Sequence, residues 1–156
     1  VRFFLMLLYM LNREVVRIRS FAFFSNLAEV SHLFDRYGVA EGVARLETGY
    51  DCNILMSLTD YGQALRDFVS GYGDCVSDRT TVIILGDGRN NFGNPETGLL
   101  RMIGERAKRV VWLNPEAPAF WGTGDSAMKQ YLPFCHGVRE CNTLFQLERA
   151  IDALLA

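Results

Sequence analysis

Proline is scarce, at four residues in 156, and no internal repeat or low-complexity linker interrupts the chain. A string of domains is excluded by that pattern, disorder of most of the chain is excluded by a hydrophobic fraction of 49%, and the length suits a single domain able to bury its own core. Charge of one sign is lacking too: 16 Lys and Arg face 18 Asp and Glu, a formal net charge of −2. A strongly basic nucleic-acid binder is thereby ruled out. The four cysteines, Cys52, Cys75, Cys135 and Cys141, match no C-x-x-C zinc or redox spacing. A domain of this size has no need of disulfides, so they read as free thiols and the expected location is the cytoplasm. No G-x-x-x-x-G-K-[ST] phosphate loop is present, and any ATP hydrolysis has to come from another protein. There is no G-x-S-x-G elbow and no cysteine with a local activating partner. His32 and His136 stand far apart, without metal-ligand spacing, and read as structural.

Long apolar runs are nearly absent. The one candidate, Phe3 to Leu11 (FFLMLLYML), is too short to span a bilayer, which excludes a membrane span. Asn12, Arg13 and Glu14 follow where a signal peptide would carry a small-residue cleavage site, so a buried helix is the better reading than a signal or anchor.

What the chain does have is alternation. Val15 to Ser25 is β-branched and aromatic and predicts a strand; Leu27 to Phe34 predicts a short edge strand paired with it after the Ser25–Asn26 turn. Gly38 breaks the chain, and Val39 to Leu46 has helical spacing. Thr59 to Val69 predicts a helix with Thr59 as its cap and Leu65, Phe68 and Val69 as its buried stripe. Thr80 to Leu85 (TTVIIL) reads as a central parallel strand buried on both faces. Pro95 suits the first turn of a helix running to Lys108. Val110 to Leu113 predicts a strand, Ser126 to Tyr131 a brief helix, Gly137 to Glu140 a last strand and Thr143 to Leu155 a closing amphipathic helix. Strands alternating with helices define an α/β fold, doubly wound, with a mostly parallel sheet flanked by helices.

In such sheets a ligand site lies beyond the carboxyl ends of the strands. Three polar loops fall there: Ser57 to Gly62, Gly86 to Asn91 (GDGRNN) and Asn114 to Glu116. Asp87, at a strand tip between two glycines, reads equally as a functional carboxylate and as an Asp-Gly turn former. Arg89, Asn90 and Asn91 beside it either steady the loop, the better reading, or contact a partner's carboxylate. Glu116 reads as a solvated loop charge. The loop Trp121 to Ser126 carries either a helix cap at Asp125 or Ser126 or, through Trp121, a contact on the rim of an interface.

The segments LTDYGQALRDF, TTVIILGDGRNN and VVWLNPE together resemble a von Willebrand factor A (VWA) domain, and more narrowly its bacterial CoxE-type branch. The stretch FAFFSNLAEVSHLF resembles that branch's first hairpin, and the likeness runs from about Phe3 to Leu155. The family's middle motif is matched by Thr59, Gly62 and Ala64-Leu65; its Ser-Asp-Gly is matched by Gly86-Asp87-Gly88, with glycine in place of serine. Trp112-Leu113-Asn114-Pro115 matches the Trp-Leu-Asn-Pro that follows.

The resemblance implies a metal-ion-dependent adhesion site, with Mg²⁺ held by Thr59 and Asp87 and the open position filled by an acidic residue of a partner protein. Asp60, Gly88, Arg89, Asn90 and Trp121 would form the partner-binding rim. It also implies a MoxR-type AAA+ ATPase as partner and a chaperone role in metalloenzyme maturation. The family's Asp-x-Ser-x-Ser ligands are absent from this sequence, together with the strand that would carry them. The expectation is therefore a single VWA-like domain over residues 1–156, N-terminally truncated, with an incomplete metal site; a degenerate domain is the other reading. Two alternatives stand beside the first: a metal-free interaction scaffold, and an enzyme using Asp87 and Mg²⁺ for phosphoryl transfer or hydrolysis, with Asp60 as its second acid.

Overall fold

The computed structural model describes residues 17–48 and 58–156, together with Leu7, Leu8, Met10 and Leu11. Leu7, Leu8, Met10 and Leu11 are helical, as read; the rest of the Phe3 to Asn12 segment, Val15 and Val16 of the first expected strand, Cys52 and Ser57 lie outside the described residues. Cys75, Cys135 and Cys141 carry free thiols.

The first strand, β1 (Phe21–Phe23), turns at Phe24 to Asn26 into β2 (Leu27–Glu29), and the two pair antiparallel with Ala22 opposite Ala28. The edge strand expected through Phe34 stops early. Leu33 N donates to Val30 O at 3.0 Å, and helix α1 (Ser31–Thr48) has begun. Val30 and Leu33, three apart, suit one face of a helix as well as they suit a strand, which explains the misreading. Gly38, at φ 76° and ψ 174°, breaks α1 where the sequence places its break. Helix α2 spans Tyr61–Tyr72, and its cap is Asp60 rather than Thr59: Asp60 Oδ1 accepts from Gln63 N at 2.9 Å. The carboxylate one residue closer reaches the third helical amide, satisfying one of the donors a helix start leaves open.

Strand β3 (Thr81–Leu85), helix α3 (Thr97–Arg106), strand β4 (Arg109–Asn114), the short helix α4 (Met128–Tyr131), strand β5 (Gly137–Glu140) and helix α5 (Leu144–Leu155) complete the order. Pro95 falls outside α3, whose N-cap is Glu96 in the left-handed region at φ 52°, ψ 47°. The three strands form one parallel sheet in the order β3-β4-β5, with Val82 opposite Val110 and Val111 opposite Gly137. Helix α5 opens with a capping box between Thr143 and Gln146.

Helices cover both faces. Val110 and Trp112 of β4 point to a cluster with Tyr61 and Leu65 of α2, Leu100 and Ile103 of α3, and Met128 and Tyr131 of α4. Val111 and Leu113 point the other way, onto Leu7, Leu11 and, from α5, Leu147, Ala150 and Ile151. This alternation is the period-two signature of a strand with a core on each side. The doubly wound α/β reading holds.

One assignment of burial is corrected: β4, not β3, is the more buried strand. TTVIIL was read as the central, most buried strand, but Thr81 is exposed and Val82 to Leu85 are only part-buried, whereas Val110 to Asn114 of β4 are all buried. Among the described residues β3 has a single neighbour, β4, and the β1–β2 hairpin forms a separate sheet. A run of β-branched residues reports that both faces are apolar; it does not report how many strands stand beside it.

Candidate functional site at the carboxyl ends of the strands

The loop after β3 is rooted in β4. Gly86 N donates to Leu113 O at 3.1 Å, Trp112 Nε1 donates to Gly86 O at 2.8 Å, and Asn114 Nδ2 donates to Asp87 O at 3.1 Å. Asn114 is fully buried, so its amide serves as an internal strut. From that root Asp87 rises with Oδ1 accepting from Arg89 N at 2.9 Å and from Tyr61 Oη at 3.3 Å.

The loop before α2 closes onto it. Tyr61 N donates to Asn90 Oδ1 at 2.6 Å, Gly88 N donates to Tyr61 Oη at 3.2 Å, and Asn91 Nδ2 donates to Thr59 O at 2.8 Å. Asp60 N reaches the hairpin turn, donating to Phe24 O at 2.8 Å. Burial first, and the neighbouring Asp87 second, push the Tyr61 phenol above its ordinary value, so it stays protonated as a donor.

The third loop is clasped by Arg89. Its guanidinium is bidentate to Glu116 at 2.6 and 2.8 Å, and Nη1 reaches Asp125 Oδ1 at 2.9 Å and Thr123 O at 3.0 Å. The backbone joins in, with an isolated antiparallel bridge between Arg89 and Ser126. Planar bidentate pairing of this kind fixes orientation as well as charge. Three loops far apart in sequence thus make one surface.

Arg89 holds the Asp125 carboxyl below its ordinary value of 3.8, chiefly through the hydrogen bond between them. A carboxyl whose folded value is depressed contributes stability in full above its unfolded value and loses it as the pH falls through the folded one. Asp125→Asn is therefore expected to be modestly less stable than the native chain at pH 7, the pair being solvent-screened, and to converge with it on acidification below the ordinary carboxylate range. Urea midpoints measured from pH 7 down to pH 3 check this; a difference that persists or grows in acid contradicts it.

The site residues read from the sequence divide. Thr59, Asp60, Asp87, Gly88, Arg89 and Asn90 are brought together by the bonds above. Within that group Asn90 is 3% exposed and Gly88 is buried, so both act as struts beneath the surface. Asp60 is engaged as the cap of α2. Trp121 is not on the rim: it is 8% exposed, packs in the same cluster as Trp112 and Met128, and donates from Nε1 to Glu116 O at 2.9 Å. A turn at 118–121, closed by Trp121 N to Pro118 O, swings the indole inward and leaves Phe120 outside at 56% exposed.

Sequence reasoning missed the apolar side chains that do face outward. Phe92 is 86% exposed, Leu58 72% and Phe24 39%. The Asn91–Thr59 and Asp60–Phe24 hydrogen bonds place these three on adjoining loops. A signal was present in the lone aromatic of the polar run GDGRNNFGN. Asn91 and Phe92 both adopt positive φ, 50° and 60°, a conformation that costs free energy in a residue with a bulky side chain.

For a divalent cation the described residues fall short. Mg²⁺ takes six oxygen ligands in near-octahedral array. Thr59 and Asp87 are the two donors in question, Asp87 Oδ1 already accepts two hydrogen bonds, and no group of three or more His, Cys, Asp or Glu able to hold a metal occurs among the described residues. They do not make a Mg²⁺ site by themselves.

A parallel sheet with helices on both faces is the α/β architecture of a VWA/Rossmann-like module. The chain belongs to the family of VWA domain containing CoxE-like proteins, which it matches over residues 1–150. No curated protein and no solved structure matches it. Among the described residues no helix is long and apolar enough to cross a membrane.

Proposed function

We propose that this VWA module binds a partner protein through the surface formed by the loops 24–26, 58–60 and 86–93, acting in the cytoplasm with a MoxR-type AAA+ ATPase as a chaperone in metalloenzyme maturation. The observation that carries the binding reading is the set of exposed Phe24, Leu58 and Phe92 beside the Asp87 loop. Contiguous exposed apolar side chains mark interaction sites, and aromatics supply the energetic centres of interfaces. The choice of an ATPase as partner comes from the CoxE-type likeness.

Thr59 and Asp87 would hold Mg²⁺, and the ion would attract a partner's acidic residue, only with further ligands from outside the described residues. Among the described residues β3 has β4 as its one neighbour, which leaves its other side open to a further strand. A metal-free scaffold is the second reading, supported by Arg89, whose guanidinium ties the loops together through Glu116 and Asp125.

Isothermal titration of the chain against a purified MoxR-type ATPase tests the proposal. Phe92→Ser and Asp87→Ala are each expected to weaken binding by about tenfold or more, the loss typical of an interface centre. Unchanged affinity in both variants overturns the assigned surface. Repeating the titration in EDTA separates the readings: lost binding requires a metal, unchanged binding supports the scaffold.

A further inference from the structure

The site contains a steric fact that the sequence alone does not announce. A Cβ placed on Gly86 would lie 2.0 Å from Tyr61 Oη, 3.0 Å from its Cζ and 3.2 Å from a ring carbon. The space where residue 86 would carry a side chain is filled by the phenol of α2. That phenol does more than fill it, for it donates to Asp87 Oδ1 at 3.3 Å and accepts from Gly88 N at 3.2 Å.

Tyr61 has little freedom to leave. It is 5% exposed, its ring packs edge-on to Phe23 at 5.1 Å and near Trp112 at 5.5 Å, and its own amide is tied to Asn90 Oδ1 at 2.6 Å. The hydroxyl is therefore held from below by the aromatic core and from the backbone side by the loop it serves. Both hydrogen bonds recorded to the Asp87 side chain, from Tyr61 Oη and from Arg89 N, fall on the same oxygen, Oδ1.

We infer that Tyr61 is the positioning residue of Asp87: its hydroxyl fixes the carboxylate in one rotamer, with Oδ1 turned inward and Oδ2 presented to whatever docks on the loops, and Gly86 is glycine because the phenol takes that place. The phenol arrives from α2 and fills the place of a residue-86 side chain, so Tyr61 and Gly86 form one exchange: no side chain is tolerated at 86 while Tyr61 occupies that space. The use of Oδ2 in recognition rests on the binding reading given above, whereas the fixed rotamer does not.

The test needs only the chain itself. Three-bond couplings from Asp87 Cγ to its backbone nitrogen and carbonyl carbon report the side-chain rotamer in solution. The native chain is expected to show one rotamer. Tyr61→Phe, which keeps the ring and removes the hydroxyl, is expected to show averaged couplings at Asp87 while amide signals outside 59–62 and 86–91 stay in place. A single unchanged rotamer in Tyr61→Phe overturns the inference.

A second comparison stands even if that variant folds poorly. Gly86→Ser is expected to lower the melting temperature far more in the native background than in a Tyr61→Leu background, because contacting residues couple. Additive effects of Gly86→Ser and Tyr61→Leu overturn the exchange. Neither measurement involves a partner, so its failure leaves the binding reading standing, and failure of the titration leaves the positioning of Asp87 standing.

Discussion

Trp112→Ala is expected to destabilise the domain by about 3–5 kcal/mol, the range for deleting a large buried aromatic. Trp112 is 1% exposed, stacks on Tyr131 with centroids 4.9 Å apart at 23°, and lies in the cluster that joins β4 to α2, α3 and α4. Its loss also leaves Gly86 O, at the root of the Asp87 loop, without the indole donor. Against a total stability of about 5–15 kcal/mol for a domain, that is a large fraction. Chemical unfolding followed by circular dichroism measures it. Trp112→Phe keeps much of the packing and loses the hydrogen bond, whose net worth is about 1 kcal/mol, so it should fall between the two. A cost below 1 kcal/mol for Trp112→Ala would mean that the indole is not the centre of this core.

Gly62→Ala is the second large effect, for a different reason. A Cβ on Gly62 would meet Asn94 O at 2.0 Å and the Asn94 carbonyl carbon at 3.2 Å, and both are backbone atoms that cannot rotate aside. The first turn of α2 and the segment leading into α3 touch there, stapled further by the Arg66 to Glu96 ion pair at 2.7 Å. Forced separation of packed elements costs about 1–3 kcal/mol and occasionally more. Gly98→Ala is the matched control: beyond its chain neighbours and its own helix backbone nothing lies within 4 Å of its added Cβ, and it is the second residue of α3, as Gly62 is of α2. In a helix interior alanine is favoured over glycine by about 1 kcal/mol, so that variant should melt no lower than the native chain and Gly62→Ala well below it. Equal melting temperatures would contradict the close approach.

The fold was legible because its signals are local. Uninterrupted apolar runs marked β3 and β4, Gly137 to Glu140 was read with the bounds of β5, and Thr143 was placed at the head of the closing helix, where its capping box confirms it. The misreadings share one cause. Whether Leu33 and Phe34 extend a strand or start a helix, and whether Val82 to Leu85 or Val110 to Leu113 are the more deeply buried, is decided by neighbours that a linear pattern does not name. Thr59 and Asp60 were equally able to cap α2, and only the geometry of the Gln63 amide chooses between them.

The site was legible in part. The loops after β3 and β4 follow from the rule that α/β sheets expose function at their carboxyl ends. Which side chains face outward did not follow from it. The loop Trp121 to Ser126 read either as a helix cap or, because tryptophan is common at interfaces, as a rim contact through Trp121, and the turn at Pro118 buries that indole; Phe92 attracted no notice and is the most exposed large apolar side chain described. The Tyr61–Gly86 exchange was likewise hidden, since residues 25 apart come within contact only through the crossing of α2 over the end of β3. Glycine in place of serine was a visible departure, and the phenol that accounts for it required the fold.

The central claim, that the loops around Asp87 are where this module meets its partner, is tested most directly by hydrogen exchange on the chain alone and in complex with a MoxR-type ATPase. The account predicts slowed exchange on binding at the amides of 86–93 and 58–60, with the amides of α5 on the opposite face of the sheet unchanged. Binding that protects α5 or β5 and leaves 86–93 exchanging as in the free chain would contradict it.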